Sequence, residues 1–132
     1  MTTILLAEDN DDVRDMITVH LQKRGFPVIA ASNGLEAVIQ TAQFAPALIL
    51  MDIYMPELDG VEATVQIRAV DPEYRIPVIA ITAHALPSDA ARAKAAACNA
   101  FHAKSVDFEK LFAQITELIG EEAEGGMGQP PT

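Results

Sequence analysis

Cysteine is nearly absent from this 132-residue sequence, in which Cys98 is the only one. A single cysteine cannot form an internal disulfide, which agrees with a reducing cytoplasm, and its alanine-rich surroundings favour a small core residue over a nucleophile. Basic residues are also few, since 9 Lys and Arg stand against 19 Asp and Glu, giving a formal net charge of −10. A surface this acidic repels nucleic acid and anionic lipid, so direct DNA binding is not expected.

The sequence also lacks long hydrophobic runs. Half of its residues are hydrophobic, but the longest apolar stretches span only a handful of residues, so no membrane span is predicted. The first residues show neither a basic segment nor a full apolar segment, so no export signal is visible and a cytoplasmic location is expected. His20, His84 and His102 lack zinc-ligand spacing, and we expect them at the surface or at a sheet edge.

Short apolar runs alternate with helical patterns along the chain. Strands are predicted at residues 3–7, 27–31, 47–51, 77–82 and 99–103, and helices follow each of them, the last at about 106–119. The inner faces of the first three helices are expected to include Met16, Leu35 and Val65, respectively. This alternation predicts an α/β fold, a flavodoxin-like doubly wound parallel sheet of five strands in the order 2-1-3-4-5. We expect one domain at residues 1–120 and a disordered acidic, Gly- and Pro-containing tail at 121–132.

Polar residues stand at the carboxyl ends of the predicted strands. Glu8 and Asp9 follow the first strand, Asp52 the third, Thr82 ends the fourth, and Lys104 follows the fifth. In the predicted strand order the first and third strands are neighbours at the switch point, so their carboxylates share one crevice. Crowded carboxylates need a cation or shifted pKa values, and hard oxygen ligands suit Mg²⁺. An aspartate, a divalent metal, a lysine and a hydroxyl together fit phosphoryl transfer to the aspartate itself.

These residues, with Met55-Pro56 and Asp59-Gly60, closely resemble the receiver domain of two-component response regulators over residues 3 to about 119. The resemblance implies that Asp52 is the phosphoacceptor. It also implies that Asp9, Asp52 and the main-chain carbonyl of Tyr54 hold Mg²⁺, for which Mn²⁺ can substitute, while Glu8 orders a metal-bound water. Thr82, Ala83 and Lys104 are expected at the phosphoryl group.

The same resemblance implies a conformational switch and a set of partners. Thr82 and Phe101 occupy the switch positions, and the side chains of Tyr54 and His84 are expected to tune the hydrolysis rate. The implied donor is a histidine kinase or a histidine phosphotransfer protein. The response is expected to pass to a separate downstream protein, or the phosphoryl group onward through a relay, because a stand-alone receiver carries no output domain. The protein is expected to be no turnover enzyme, and a monomer or weak dimer, since Asn99-Ala100 lacks the acidic pair of receivers that dimerise to bind DNA.

Two further departures from the family pattern lead to local expectations. Ser105 stands where the family usually has a proline preceded by a cis peptide bond. Because a cis bond before a non-proline residue costs roughly 2.5–4 kcal/mol, a trans Lys104–Ser105 bond is expected. Ala97 replaces a helix-closing glycine, which costs a small strain if its φ angle is positive.

Three other functions remain open at this point. A phosphatase of the haloacid dehalogenase type also uses a strand-end aspartate with Mg²⁺, but it needs a second aspartate where Tyr54 stands here. A flavin-binding electron carrier has the same fold, but its phosphate loop should be neutral, unlike Glu8-Asp9-Asn10-Asp11-Asp12. A scaffold that is never phosphorylated would have no use for so complete a site.

Overall fold

The computed structural model describes residues 2–73, 75–83 and 86–120 of the chain. Within these ranges five strands alternate with five helices, and no helix is long and apolar enough to cross a bilayer. The elements are β1 (Ile4–Ala7), α1 (Asp11–Lys23), β2 (Val28–Ala31), α2 (Gly34–Phe44), β3 (Leu48–Asp52), α3 (Gly60–Val70), β4 (Val78–Thr82), α4 (Pro87–Ala95), β5 (Ala100–Ala103) and α5 (Phe108–Ile119). His84 and the predicted tail at 121–132 lie outside the described residues.

The strands form one parallel sheet in the order β2-β1-β3-β4-β5, which confirms the predicted fold class and strand order. The central strands β1, β3 and β4 are buried along their whole length, as expected for a sheet that is covered on both faces. Ala7 of β1 pairs with Met51 of β3, and Asp52 of β3 pairs with Ile81 of β4. The carboxyl ends of these three strands therefore lie side by side.

Successive residues of the strands face two separate apolar layers. One layer contains Leu6, Leu50 and Ile79 and is closed by α1 and α5. The opposite layer contains Leu5, Ile49 and Val78 and is closed by α2 and α3. On this second side α4 contributes Ala93, which packs with Ile53 and Ala80. The sheet is thus sandwiched between two helices on one face and three on the other.

Polar side chains fix where most of the helices begin. Asn10, Asn33, Asp59 and Asp107 each accept a hydrogen bond from the backbone N–H three residues later. Each of these bonds satisfies a donor that the first turn of a helix leaves unpaired. The helix α4 starts differently, with Pro87 in its first turn and Asp89 accepting the Leu86 N–H at 3.3 Å.

The predicted inner faces of α1, α2 and α3 are wrong at particular residues. Met16, Leu35 and Val65 are 42, 47 and 54% exposed, respectively. The small residues Ala37 in α2 and Ala63 in α3 are buried instead. Small side chains are needed here because the backbones approach closely: a Cβ on Gly34 would lie 2.0 Å from the carbonyl oxygen of Leu58. Such close packing leaves larger apolar residues on the outer faces.

Candidate functional site

The predicted site residues lie at the carboxyl edge of the sheet. Asp52 is the last residue of β3 and Thr82 the last of β4, while Glu8 and Lys104 directly follow β1 and β5. Strand pairing continues one residue beyond the strands, because the Glu8 N–H donates to the Ala31 carbonyl at 3.0 Å and the Lys104 N–H donates to the Thr82 carbonyl at 2.8 Å. The backbone of the sheet therefore sets the direction in which these side chains leave it.

Three carboxylates meet at this edge. Each of Glu8, Asp9 and Asp52 places a carboxylate oxygen within 4.8 Å of the others. Glu8 is 0% exposed and Asp52 is 4% exposed, whereas Asp9 is exposed to solvent. Glu8 is held further by the Asn10 N–H, which donates to its Oε2 at 3.1 Å, and Arg14 donates to its backbone carbonyl at 2.7 Å. The cluster therefore has two buried carboxylates, those of Glu8 and Asp52, and one carboxylate exposed to solvent, that of Asp9.

Lys104 brings a positive charge to the two buried carboxylates. Its Nζ lies 2.6 Å from Glu8 Oε1 and 3.2 Å from Asp52 Oδ2. Burial lowers the pKa of this ammonium, but its hydrogen bond to Glu8 and the negative charges of Asp52 and Glu8 outweigh that effect and raise the pKa overall. Lys104 therefore stays charged and bridges the carboxylates of β1 and β3.

The single positive charge of Lys104 does not neutralise three carboxylates, and the remaining negative charge affects the pKa of Asp52. Burial, followed by the charge of Glu8, raises the pKa of Asp52 to about 7, although Lys104 acts in the opposite direction. A group that titrates near neutrality in a cleft is typical of functional sites. The charge of a divalent cation would relieve this repulsion and favour the ionised carboxylate.

The donor set fits such a cation. Carboxylate oxygens are the ligands that Mg²⁺ prefers, and Mg²⁺ usually keeps several waters and binds phosphate oxygens as well. Glu8, Asp9 and Asp52 can supply protein oxygens, and the exposure of Asp9 leaves the outer side open to water or phosphate. Within the described residues this is the one group of three carboxylate, histidine or thiol side chains with such geometry.

The two predicted switch residues occupy different surroundings. Thr82 is fully buried at the end of β4, and Ala83 beside it is exposed. Phe101 on β5 is partly buried and packs against the cluster of Ile53, Ala80 and Ala93. This cluster contains Ile53, which follows β3, and Ala93 of α4, so Phe101 packs against residues that join these two elements.

Tyr54 lies two residues after Asp52, but its side chain reaches a different element. Its hydroxyl donates a hydrogen bond to Asp89 Oδ1 on α4, and 43% of the residue remains exposed. Asp89 was not among the predicted site residues. The sequence signals only a helix start at that position, because an acidic residue two positions after Pro87 is ordinary first-turn chemistry.

Two backbone features concern the departures from the family pattern. The Lys104–Ser105 peptide bond is cis, so the expected trans bond is wrong. An isolated peptide bond before serine prefers the trans form, whereas in the folded protein tertiary contacts hold both the Lys104 amide and its ammonium. Ala97 has a φ of 69°, the left-handed conformation for which the family's glycine is suited.

Comparison with known proteins agrees with this geometry. Residues 4–116 match the family model of the response regulator receiver domain. The polar-differentiation response regulator DivK of Brucella anthropi is 32% identical over 119 residues, which cover 90% of this chain and 97% of that protein.

Solved structures give the same result. The receiver domain of a sensor histidine kinase from Pseudomonas aeruginosa, with a magnesium ion coordinated in its active-site cleft, is 35% identical. It has a TM-score of 0.84 and covers 91% of this chain and 98% of its own. A receiver domain from Saccharomyces cerevisiae, crystallised with a histidine phosphotransfer signalling protein, is 29% identical with a TM-score of 0.82, covering 88% and 87% of the two chains. The chain described here belongs to the response regulator receiver domain family of two-component signalling.

Proposed function

We propose that this receiver domain accepts a phosphoryl group on Asp52 from the phosphohistidine of a histidine kinase or a histidine phosphotransfer protein. The observation that carries the proposal is the buried Asp52 carboxylate, which lies 3.2 Å from the Lys104 ammonium and within 4.8 Å of two further carboxylates. A nucleophile, a fixed positive charge and a set of oxygen ligands for a metal are thereby combined at one strand end.

In the proposed reaction, one Oδ of Asp52 attacks phosphorus while the bond from phosphorus to the donor's imidazole nitrogen breaks. The phosphoryl group passes to Asp52 as an acyl phosphate, and the electron pair of the broken bond stays on the imidazole, which leaves as a neutral ring because its other nitrogen already carries a proton. Lys104 stabilises the negative charge that collects on the transferred oxygens. When bound, Mg²⁺ would add further charge stabilisation, and Asp9, Asp52 and the Tyr54 carbonyl are the proposed ligands, with Glu8 ordering a metal-bound water.

The acyl phosphate would carry about −1.5 to −2 charges at a position that is almost closed to solvent. We propose that the Thr82 hydroxyl and the Lys104 ammonium contact it, and that the exposed Ala83 leaves room for a partner or for a hydrolytic water. Movement of Thr82 would free space for Phe101 to turn inward, which shifts the equilibrium between two arrangements of the domain. Downstream proteins would then bind one arrangement more tightly.

The proposed partners are proteins, and the proposed location is the cytoplasm. The Saccharomyces receiver domain that was crystallised with a phosphotransfer protein supports a partner of that class. A formal charge of −10 and one free cysteine agree with a protein partner and a reducing compartment. We further propose that residues 1–120 form the receiver domain.

The site favours acceptance of a single phosphoryl group over repeated turnover of a phosphoester. A haloacid dehalogenase-type phosphatase needs a second aspartate two residues after its nucleophile, and that position is Tyr54, whose hydroxyl is engaged by Asp89. Asp52 can promote its own phosphorylation and dephosphorylation, but we propose no separate substrate that is released.

Phosphorylation by acetyl phosphate with Mg²⁺, followed by intact mass spectrometry, tests the proposal. We expect the wild-type protein to gain one phosphoryl group, Asp52→Asn to gain none, and chelation of Mg²⁺ to abolish labelling. Asp15→Asn, which removes an exposed carboxylate of α1, serves as the matched control and should label like the wild type. Equal labelling of the wild type and Asp52→Asn would refute the proposal.

A further inference from the structure

Tyr54 ties the loop that follows the phosphoacceptor strand to helix α4. Its hydroxyl donates to Asp89 Oδ1, across 35 positions of sequence. Asp89 is only 1% exposed, and its other oxygen, Oδ2, accepts the Leu86 N–H at 3.3 Å. One buried carboxylate therefore joins the start of α4 to the β3–α3 loop.

A second contact joins the same two elements. Arg92 Nη2 on α4 lies 3.0 Å from Asp59 Oδ2. Asp59 at the same time caps α3, because its Oδ1 accepts the Glu62 N–H at 2.8 Å. We call the Tyr54–Asp89 hydrogen bond and the Asp59–Arg92 ion pair together the α4 clasp. The two loop residues of the clasp, Tyr54 and Asp59, are the first and last residues of the segment 54–59, which leads from the end of β3 into α3.

Apolar burial holds α4 only weakly. Of the residues in this helix, only Asp89 and Ala93 are buried. Ala93 offers one methyl group to the cluster of Ile53 and Ala80. Since little apolar surface is removed from water, the polar contacts of the clasp carry an unusual share of the restraint on α4.

The clasp also lies on the route from the phosphoryl site to α4. Thr82 ends β4, and only four positions separate it from Leu86, the residue that caps α4 and donates to Asp89. A shift of the Thr82 backbone towards Asp52 would therefore act on the start of α4. If α4 moved away, the buried Asp89 carboxylate would lose the Tyr54 donor, which is unfavourable unless the group becomes solvated.

We propose that Tyr54 and Asp89 are positioning residues whose hydrogen bond, assisted by the Asp59–Arg92 pair, holds α4 in the arrangement adopted with unmodified Asp52. Phosphorylation must open this clasp to move α4, so the clasp sets how readily the domain is activated. This inference rests on the proposed function and concerns how activation of the Asp52 site is regulated.

The direction of the effect distinguishes this role from a merely structural one. A contact that exists only in the unphosphorylated arrangement opposes activation, so its removal shifts the equilibrium towards the activated arrangement. Tyr54→Phe should therefore bind beryllofluoride, a phosphoryl mimic that occupies an aspartyl oxygen with Mg²⁺, about three- to tenfold more tightly than the wild type. Loss of a purely structural contact would weaken that binding or leave it unchanged.

The experiment combines titration of beryllofluoride in Mg²⁺ with hydrogen exchange of residues 87–95 in the fluoride-free protein. Tyr54→Phe should show tighter binding and faster exchange confined to α4, and Arg92→Gln should show the same changes at about twofold, because its ion pair is partly exposed. Arg75→Gln, which removes a surface pair with Glu73 away from α4, is the matched control and should change neither.

Each outcome bears on one of the two claims. If wild-type protein binds beryllofluoride but Tyr54→Phe binds it equally or more weakly, the clasp does not oppose activation and the inference is wrong. Unchanged exchange of α4 in Tyr54→Phe would overturn it as well. If the wild type itself binds no beryllofluoride, the proposed function fails, and the regulation inferred from it falls too.

Discussion

At the scale of single residues, Asp52 meets two opposing requirements. As the proposed nucleophile and metal ligand it must be deprotonated, yet burial and the charge of Glu8 raise the pKa of this carboxyl to about 7. Lys104, at 3.2 Å, only partly offsets these effects. The site is therefore balanced so that a small change in local charge decides whether Asp52 is ionised at neutral pH.

This balance predicts an unusual pH dependence for the metal-free protein. Because the pKa of Asp52 is raised above its ordinary value of 3.8, the folded state holds more protons than the unfolded state between pH 3.8 and about 7. The contribution of Asp52 to the free energy of unfolding is thus most favourable below pH 3.8 and is lost as the pH rises through about 7. Carbon-13 NMR of the Asp52 carboxyl should show a midpoint near 7 that Mg²⁺ lowers.

Chemical denaturation provides the control for this titration. The wild type should lose more stability than Asp52→Asn between pH 5 and pH 8, because asparagine has no proton to release. A carboxyl midpoint near 4, or equal pH dependence of the two proteins, would contradict the assigned electrostatics.

At the scale of secondary-structure elements, close backbone packing fixes the loop after β3. A Cβ on Gly60 would lie 2.1 Å from the Asp52 carbonyl oxygen, and the Gly60 N–H donates to the Ile53 carbonyl at 2.8 Å. The start of α3 is therefore pressed against the end of β3. No side chain fits between them unless the strand end that carries Asp52 moves.

Gly60→Ala should consequently affect both stability and the site. We expect the free energy of unfolding to fall by about 1–3 kcal/mol, as for other overpacked positions, and labelling by acetyl phosphate to fall with it. Gly120→Ala is the comparison: no described residue lies within 4 Å of a Cβ on Gly120, and its φ of 82° is what opposes a side chain there. That variant should lose less stability, about 1 kcal/mol, and label normally. Equal losses of stability in the two variants would show that the close approach of Gly60 to Asp52 does not determine the effect of the substitution.

The sequence predicted the elements better than the faces they bury. Every strand was located to within a residue or so at each end, because short apolar runs between turn residues have few other interpretations. Leu35 and Val65 were assigned to the wrong face because hydrophobic periodicity cannot show that α2 and α3 pack through small residues. The Tyr54–Asp89 contact was also missed, since its two residues belong to separate elements whose distance only the tertiary structure sets.

At the scale of the whole molecule, the strand order brings residues that are distant in sequence together at one site. Glu8 and Lys104 are almost a hundred positions apart in the chain, yet their charged groups lie 2.6 Å apart. The order 2-1-3-4-5 was predictable from the alternation of strands and helices, and it made the meeting of Glu8, Asp9 and Asp52 predictable as well. The cis Lys104–Ser105 bond was not predicted, because the intrinsic preference of a peptide bond before serine is trans.

Chemical trapping of the phosphoryl group shows which residue carries it, and so tests the assignment of Asp52 as the phosphoacceptor. An acyl phosphate on aspartate is reduced by borohydride to homoserine, which peptide mass spectrometry can assign to one position. After treatment with acetyl phosphate and Mg²⁺, we predict homoserine at position 52 and aspartate retained at position 9. Reduction at Asp9 or at another carboxylate, or no reduction in protein that carries a phosphoryl group, would show that Asp52 is not the phosphoacceptor.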